Sequence, residues 1–113
     1  MVLWALPGHP TSKIAVVVSA IILLLCSCTS ITPYANFKDQ LYRTRGSTLA
    51  DVARSGWAHS ADLIGKTALS KGHMEYGYRH RRSCNYFLEV DPVTTRIVGT
   101  RFEGETTDCV IYP

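Results

Sequence analysis

The sequence contains no apolar run long enough to cross a bilayer, no large excess of either charge, and none of the spacings that mark a catalytic or metal centre. Its longest apolar block, residues 14–25, supplies twelve residues, whereas a membrane-spanning helix needs roughly 20. A net charge of +3 over 113 residues carries little message about partners. No serine stands in Gly-x-Ser-x-Gly, no histidine in His-Glu-x-x-His or His-x-x-x-His, and no cysteine in Cys-x-x-Cys. Serine hydrolysis, a helical zinc site and a thiol redox pair therefore lack their usual signatures. With 46% apolar and 19% charged residues the composition is that of a folded protein, and the length allows one domain at most.

What is present is unevenly placed. Residues 14–25 read I-A-V-V-V-S-A-I-I-L-L-L, preceded by Lys13 and followed by small residues, the charged, apolar, small order of a secretory signal. Residues 1–12 carry no Lys or Arg, as an overlong start would explain. At the end of the block, Leu25-Cys26-Ser27-Cys28 resembles the lipobox of bacterial lipoproteins. The resemblance implies diacylglyceryl transfer to the Cys28 sulfur, cleavage between Ser27 and Cys28, and acylation of the new amine. Cys26 fits less well, because Leu25 is too bulky for the residue before the cut. Two or three acyl chains make a durable anchor, since each buried methylene contributes about 0.8 kcal/mol. Thr29, not Asp, follows the cysteine, which in the enterobacterial sorting scheme implies the periplasmic face of the outer membrane. A plain secretory signal with incidental cysteines and a stop-transfer anchor are the alternatives.

The expected organisation is a signal peptide at 1–27, a tether at 28–33 and a single small α+β domain at 34–113. The mature chain would hold 86 residues with 11 Lys/Arg and 9 Asp/Glu. A domain of this size buries only about 60–65% of its unfolded surface and often needs a staple. With Cys28 acylated, Cys84 and Cys109 are the cysteines left, and an exported pair reads as a disulfide.

Apolar spacing predicts a first helix over 34–45, with Phe37, Leu41 and Tyr42 at helical spacing and Gly46 ending it. Thr48 with Asp51 three residues on predicts the N-cap of a second, short helix, with Leu49, Val52 and Ala53 as its stripe and Gly56 as its stop. Residues 60–65 predict one further turn and 66–72 a loop. From Met74 the period falls to two: Met74, Tyr76 and Tyr78 face one way, then Cys84, Tyr86, Leu88 and Val90. Pro92 sets a turn at 91–95, and 96–103 returns with Val98 and Phe102 inward. The expectation is two short N-terminal helices packed on a three-stranded antiparallel meander with one disulfide. If Val90 opposes Ile97, Cys84 lies opposite Glu103, and the chain can fold Cys109 back to it.

The residues Cys84-Asn-Tyr-Phe-Leu-Glu-Val-Asp-Pro92, Ile97-Val-Gly99, Arg101-Phe-Glu-Gly104 and Asp108-Cys109, with Asn36-Phe37 and Gly46, resemble a family of small proteobacterial lipoproteins. That resemblance implies an address and a fold, not an activity. In architecture the chain is distantly similar to the SmpA/OmlA lipoproteins, whose best-known member belongs to the β-barrel assembly machinery. It departs from them in the Cys84/Cys109 pair and in having no Pro after Gly65.

Among chemical groups, His59, His73 and His80 with Glu75 could suggest a metal or acid–base site, but their spacing supports neither, and surface or edge positions are expected. No catalytic residue, cofactor or metal is assigned. Arg79-His80-Arg81-Arg82 is the strongest charge feature and reads as a possible interaction surface at a hairpin tip, for acidic partners or lipid head groups. Export argues against nucleic acid. The functional expectation is a non-enzymatic, membrane-anchored envelope protein supporting assembly or interaction with an envelope protein partner. A periplasmic ligand-binding or inhibitor module is the alternative.

Overall fold

The computed structural model describes residues 30–113. The signal segment 1–27 and the proposed Ser27/Cys28 junction lie outside the described residues. Among the described residues no helix is long and apolar enough to cross a membrane.

The first helix, α1, spans Pro33–Arg43, about two residues shorter at its end than the spacing predicted. Its start is set locally: the Thr32 hydroxyl accepts a 3.1 Å hydrogen bond from the Ala35 amide, and Pro33 sits in the first turn, where no amide donor is needed. Phe37 and Leu41 form its buried stripe, whereas Tyr42, expected beside them, is 61% exposed. At its end Thr44, itself buried, donates its hydroxyl to the Leu41 carbonyl at 2.7 Å. Helix α2, Leu49–Ala53, is one short turn and a half, capped as expected by Thr48, which accepts from the Asp51 amide at 3.2 Å.

Four strands follow, β1 (Leu63–Ala68), β2 (Met74–Arg81), β3 (Cys84–Val90) and β4 (Ile97–Glu103), in an antiparallel sheet of order β1-β2-β3-β4. The three-stranded expectation is corrected by β1, which occupies the stretch read as a final helical turn and a loop; only a short 3-10 turn at Ser60–Asp62 precedes it. Five of its six residues are exposed. An edge strand held by backbone pairing with β2 has no need of the apolar alternation by which a strand is recognised.

In β3 the alternation is as read, with Cys84, Tyr86, Leu88 and Val90 buried. In β4 it is not. Val90 does pair with Ile97, but the register shifts at the next position, so that Glu89 faces Gly99 and Asn85, not Cys84, faces Glu103. Val98 is the extra residue of this bulge. It is 39% exposed while Ile97 is 1% exposed, so the inward position expected for Val98 belongs to Ile97. An added residue flips everything beyond it, which alternation alone cannot show. The displaced register brings Gly104 level with Cys84. Gly104 has φ of +134°, and a Cβ there would lie 2.5 Å from the Ser83 carbonyl oxygen and 2.7 Å from the Cys84 Cα. This close passage starts the turn that returns Cys109 to Cys84, and the two form the disulfide, with Cα atoms 5.2 Å apart.

The core lies between one sheet face and the two helices. Phe37 is its centre, with ring centroids 5.2 Å from Phe102, 5.8 Å from Trp57 and 4.9 Å from His80. Trp57 packs edge-on to Tyr86 at 4.9 Å. Tyr86 is 3% exposed, and its hydroxyl accepts from the Ala58 amide at 2.8 Å. Burial pushes its phenol up to about 12, against the opposing effect of that hydrogen bond.

Two outcomes follow from these contacts. Replacing both Cys84 and Cys109 with Ser should lower unfolding free energy by about 3.5 kcal/mol, the chain-entropy value for a loop of this length, measured by urea denaturation. The oxidised wild type should show no reactive thiol at either position. The raised Tyr86 pKa favours the neutral phenol in the fold, so its stabilisation is complete below pH 10 and is lost as pH rises from 10 towards 12. Between pH 9 and 11.5 this amounts to about 2 kcal/mol, and Tyr86→Phe should flatten that part of the stability profile in urea melts.

Candidate functional site

The two ends of the sheet differ in construction, and that difference organises the surface. At one end stand the start of α1, the β2–β3 turn and the C-terminal segment. The Ile111 amide donates to the Pro33 carbonyl at 3.0 Å, and the Asn36 side-chain amide donates to the Ile111 carbonyl at 2.9 Å. His80 donates through Nε2 to the Val110 carbonyl at 2.8 Å. In the adjoining turn, Asp108 accepts from the Ser83 hydroxyl at 2.7 Å and the Ser83 amide at 3.2 Å. Those two hydrogen bonds, aided by nearby Arg82 and Arg81, hold the Asp108 carboxyl below its usual range.

The four residues of the basic run do not share a face. Arg79, Arg81 and Arg82 are exposed, but His80 faces inward and packs against the Phe37 and Trp57 rings. The signal lay in the strand period: His80 continues the inward set of Met74, Tyr76 and Tyr78, so unbroken alternation places it in the core between two exposed arginines. Arg81 lies over the exposed ring of Tyr112, 5.9 Å from its centroid.

The outer sheet face is polar but internally paired. Glu75 and Glu89 oppose each other on β2 and β3, an arrangement of like charges that destabilises a sheet unless compensated. Each has its own partner. Arg101 binds Glu75 with both branches, Nε to Oε2 at 3.0 Å and Nη2 to Oε1 at 2.7 Å, and this pairing raises the guanidinium pKa above its ordinary value. His73 donates through Nδ1 to Glu89 at 2.6 Å. The guanidinium also covers the Phe87 ring at 3.8 Å, while Gly77 leaves room beneath it, since a Cβ there would lie 2.9 Å from that ring. His73 and Glu75, considered together from sequence, thus bind different partners, and His59 is exposed elsewhere.

At the opposite end lies an open groove of about 590 Å³. Leu49 and Ala50 of α2 form one wall; Met74, Tyr76 and Val90 form the sheet floor; Pro92 closes the far side, with Asp91 and Thr95 at the rim. Helix α2 has only five residues and leaves Met74 and Tyr76 half-buried. The alternation read Met74 and Tyr76 as core. It placed them on the correct face, but how far a helix distant in sequence covers them is not contained in that pattern.

Arg101→Ala should cost about 1–2 kcal/mol, because it strands Glu75 opposite Glu89. Adding Glu75→Gln should recover part of that loss, and a four-variant urea cycle measures the coupling. Comparison with protein-family models, with curated proteins and with solved structures finds no match for this chain.

Proposed function

We propose that the protein is a lipid-anchored component of the bacterial cell envelope, on the periplasmic face of the outer membrane, that binds an envelope protein partner and performs no catalysis. The sequence supports the anchor through Leu25-Cys26-Ser27-Cys28. The observation that carries the binding role is the position of the groove relative to the point where the tether enters. The tether joins α1 at Pro33, which is bonded to Ile111 beside the Cys84–Cys109 disulfide. The groove is built on Met74 and Val90, which pair at the other end of β2 and β3. Strand β2 has eight residues, so at about 3.3 Å per step the two ends are separated by roughly 23 Å. A groove with an apolar floor and a polar rim, held away from the anchored end, suits an apolar side chain of a protein partner with a few hydrogen bonds at the margin.

The outer sheet face supports this role less, since its charges are already paired with one another. A second reading, a periplasmic ligand-binding or inhibitor module, draws on the same groove, whose volume lies in the range of small-ligand sites.

Palmitate labelling in cells should mark the wild type and be lost in Cys28→Ala, with the precursor left uncut; labelling unchanged by that substitution defeats the anchor. A photo-reactive residue at Ala50 should give a discrete cross-linked protein that is lost with Leu49→Arg and not seen from Tyr112, exposed at the other end of the sheet. Equal products from both positions, or none, would remove the groove as the partner site and move weight to the ligand-binding reading.

A further inference from the structure

If Cys28 carries acyl chains, as the proposed function holds, covalent geometry restricts which part of the domain can meet the bilayer. We propose that the end built from the start of α1, the β2–β3 turn and the C-terminal segment rests on the phospholipid headgroup layer, with Tyr112 and Arg81 as its principal contacts.

The first argument is reach. Five residue steps separate Cys28 from Pro33, and an extended chain advances at most about 3.3–3.6 Å per step, so Pro33 stays within about 17 Å of the acylated residue. The headgroup layer takes about 5–8 Å of that distance, being half the difference between the whole bilayer and its hydrocarbon core. The start of α1 therefore stands within about one helix diameter of the lipid surface.

The second argument is rigidity. The tether does not enter a frayed terminus: Thr32 caps the helix, Pro33 accepts from Ile111, and Cys109 fixes that segment to β3. Orientation imposed on Pro33 is transmitted to the whole end.

The third argument is the chemistry displayed there. Tyr112 is 68% exposed, with the Arg81 guanidinium over its ring. Lys38 lies 4.5 Å from the centroid of Tyr34 in the first half of α1. A phenol paired with a long cationic side chain suits the headgroup layer, where the ring meets acyl boundary and the cation reaches phosphate. Net charge is not the attraction. Glu105 and Asp108 occupy the same end, and the Asp108 carboxylate, bonded to Ser83, offsets the neighbouring arginines. Contact should then depend weakly on salt, unlike adsorption through a basic patch.

The test uses acylated full-length protein reconstituted into vesicles of zwitterionic phospholipid, with the photo-reactive residue p-benzoylphenylalanine at position 112 or at Val93, which is 88% exposed in the turn at the groove end. After irradiation, mass spectrometry should find phospholipid adducts from position 112 at least fivefold above those from position 93. That ratio should hold between low and high salt. Equal adducts from both positions, or a yield from 112 that collapses in high salt, overturn the proposal. The intact mass of the same sample separates the two levels of inference: a chain without acyl groups overturns the anchor and the orientation together, whereas an acylated chain with no excess at position 112 overturns the orientation alone.

Discussion

The Cys84–Cys109 disulfide is the constraint on which the rest of this fold depends. The helices supply only 11 and 5 residues to cover a four-stranded sheet, and so little helix cannot enclose a core by itself. The C-terminal segment completes it. Val110 accepts from His80, Ile111 exchanges hydrogen bonds with Pro33 and Asn36, and those contacts close the start of α1 over the aromatic cluster. A five-residue tail with no regular structure would not hold such a position against its own conformational entropy. Tying its first residue to the first residue of β3 removes most of that cost.

The two sheet faces meet different requirements. The inner face excludes water with Phe37, Trp57, Tyr78, Tyr86 and Leu88, and the one polar atom that must be buried with Tyr86 is bonded to a backbone amide. The outer face carries two opposed glutamates, each hydrogen-bonded by its own partner, Glu75 by Arg101 and Glu89 by His73. Each of the three strand pairings carries one irregular register. Such bulges increase local twist, and the one in β4 also turns Val98 outward.

This asymmetry bears on the proposed role. Under the proposed anchor, one end of the sheet is committed to the tether, while the short α2 leaves the other end open. The apolar groove is thus a consequence of incomplete coverage and not of a dedicated insertion.

The sequence by itself determined what depends on neighbours along the chain. The signal-like block, the capped starts of both helices, the alternation of β3 and the turn at Pro92 are local patterns, and the disulfide followed from counting cysteines. Only the tertiary structure decided the fourth strand, the β4 register and the existence of the groove. The reason is common to all three. Strand β1 is held by backbone hydrogen bonds that any side chain permits, and a bulge is one extra residue that leaves the composition of a strand unchanged. Whether Met74 and Tyr76 are covered depends on the width of a sheet and the length of a helix distant in sequence. Those quantities arise when separate segments meet, and no window along the chain contains them.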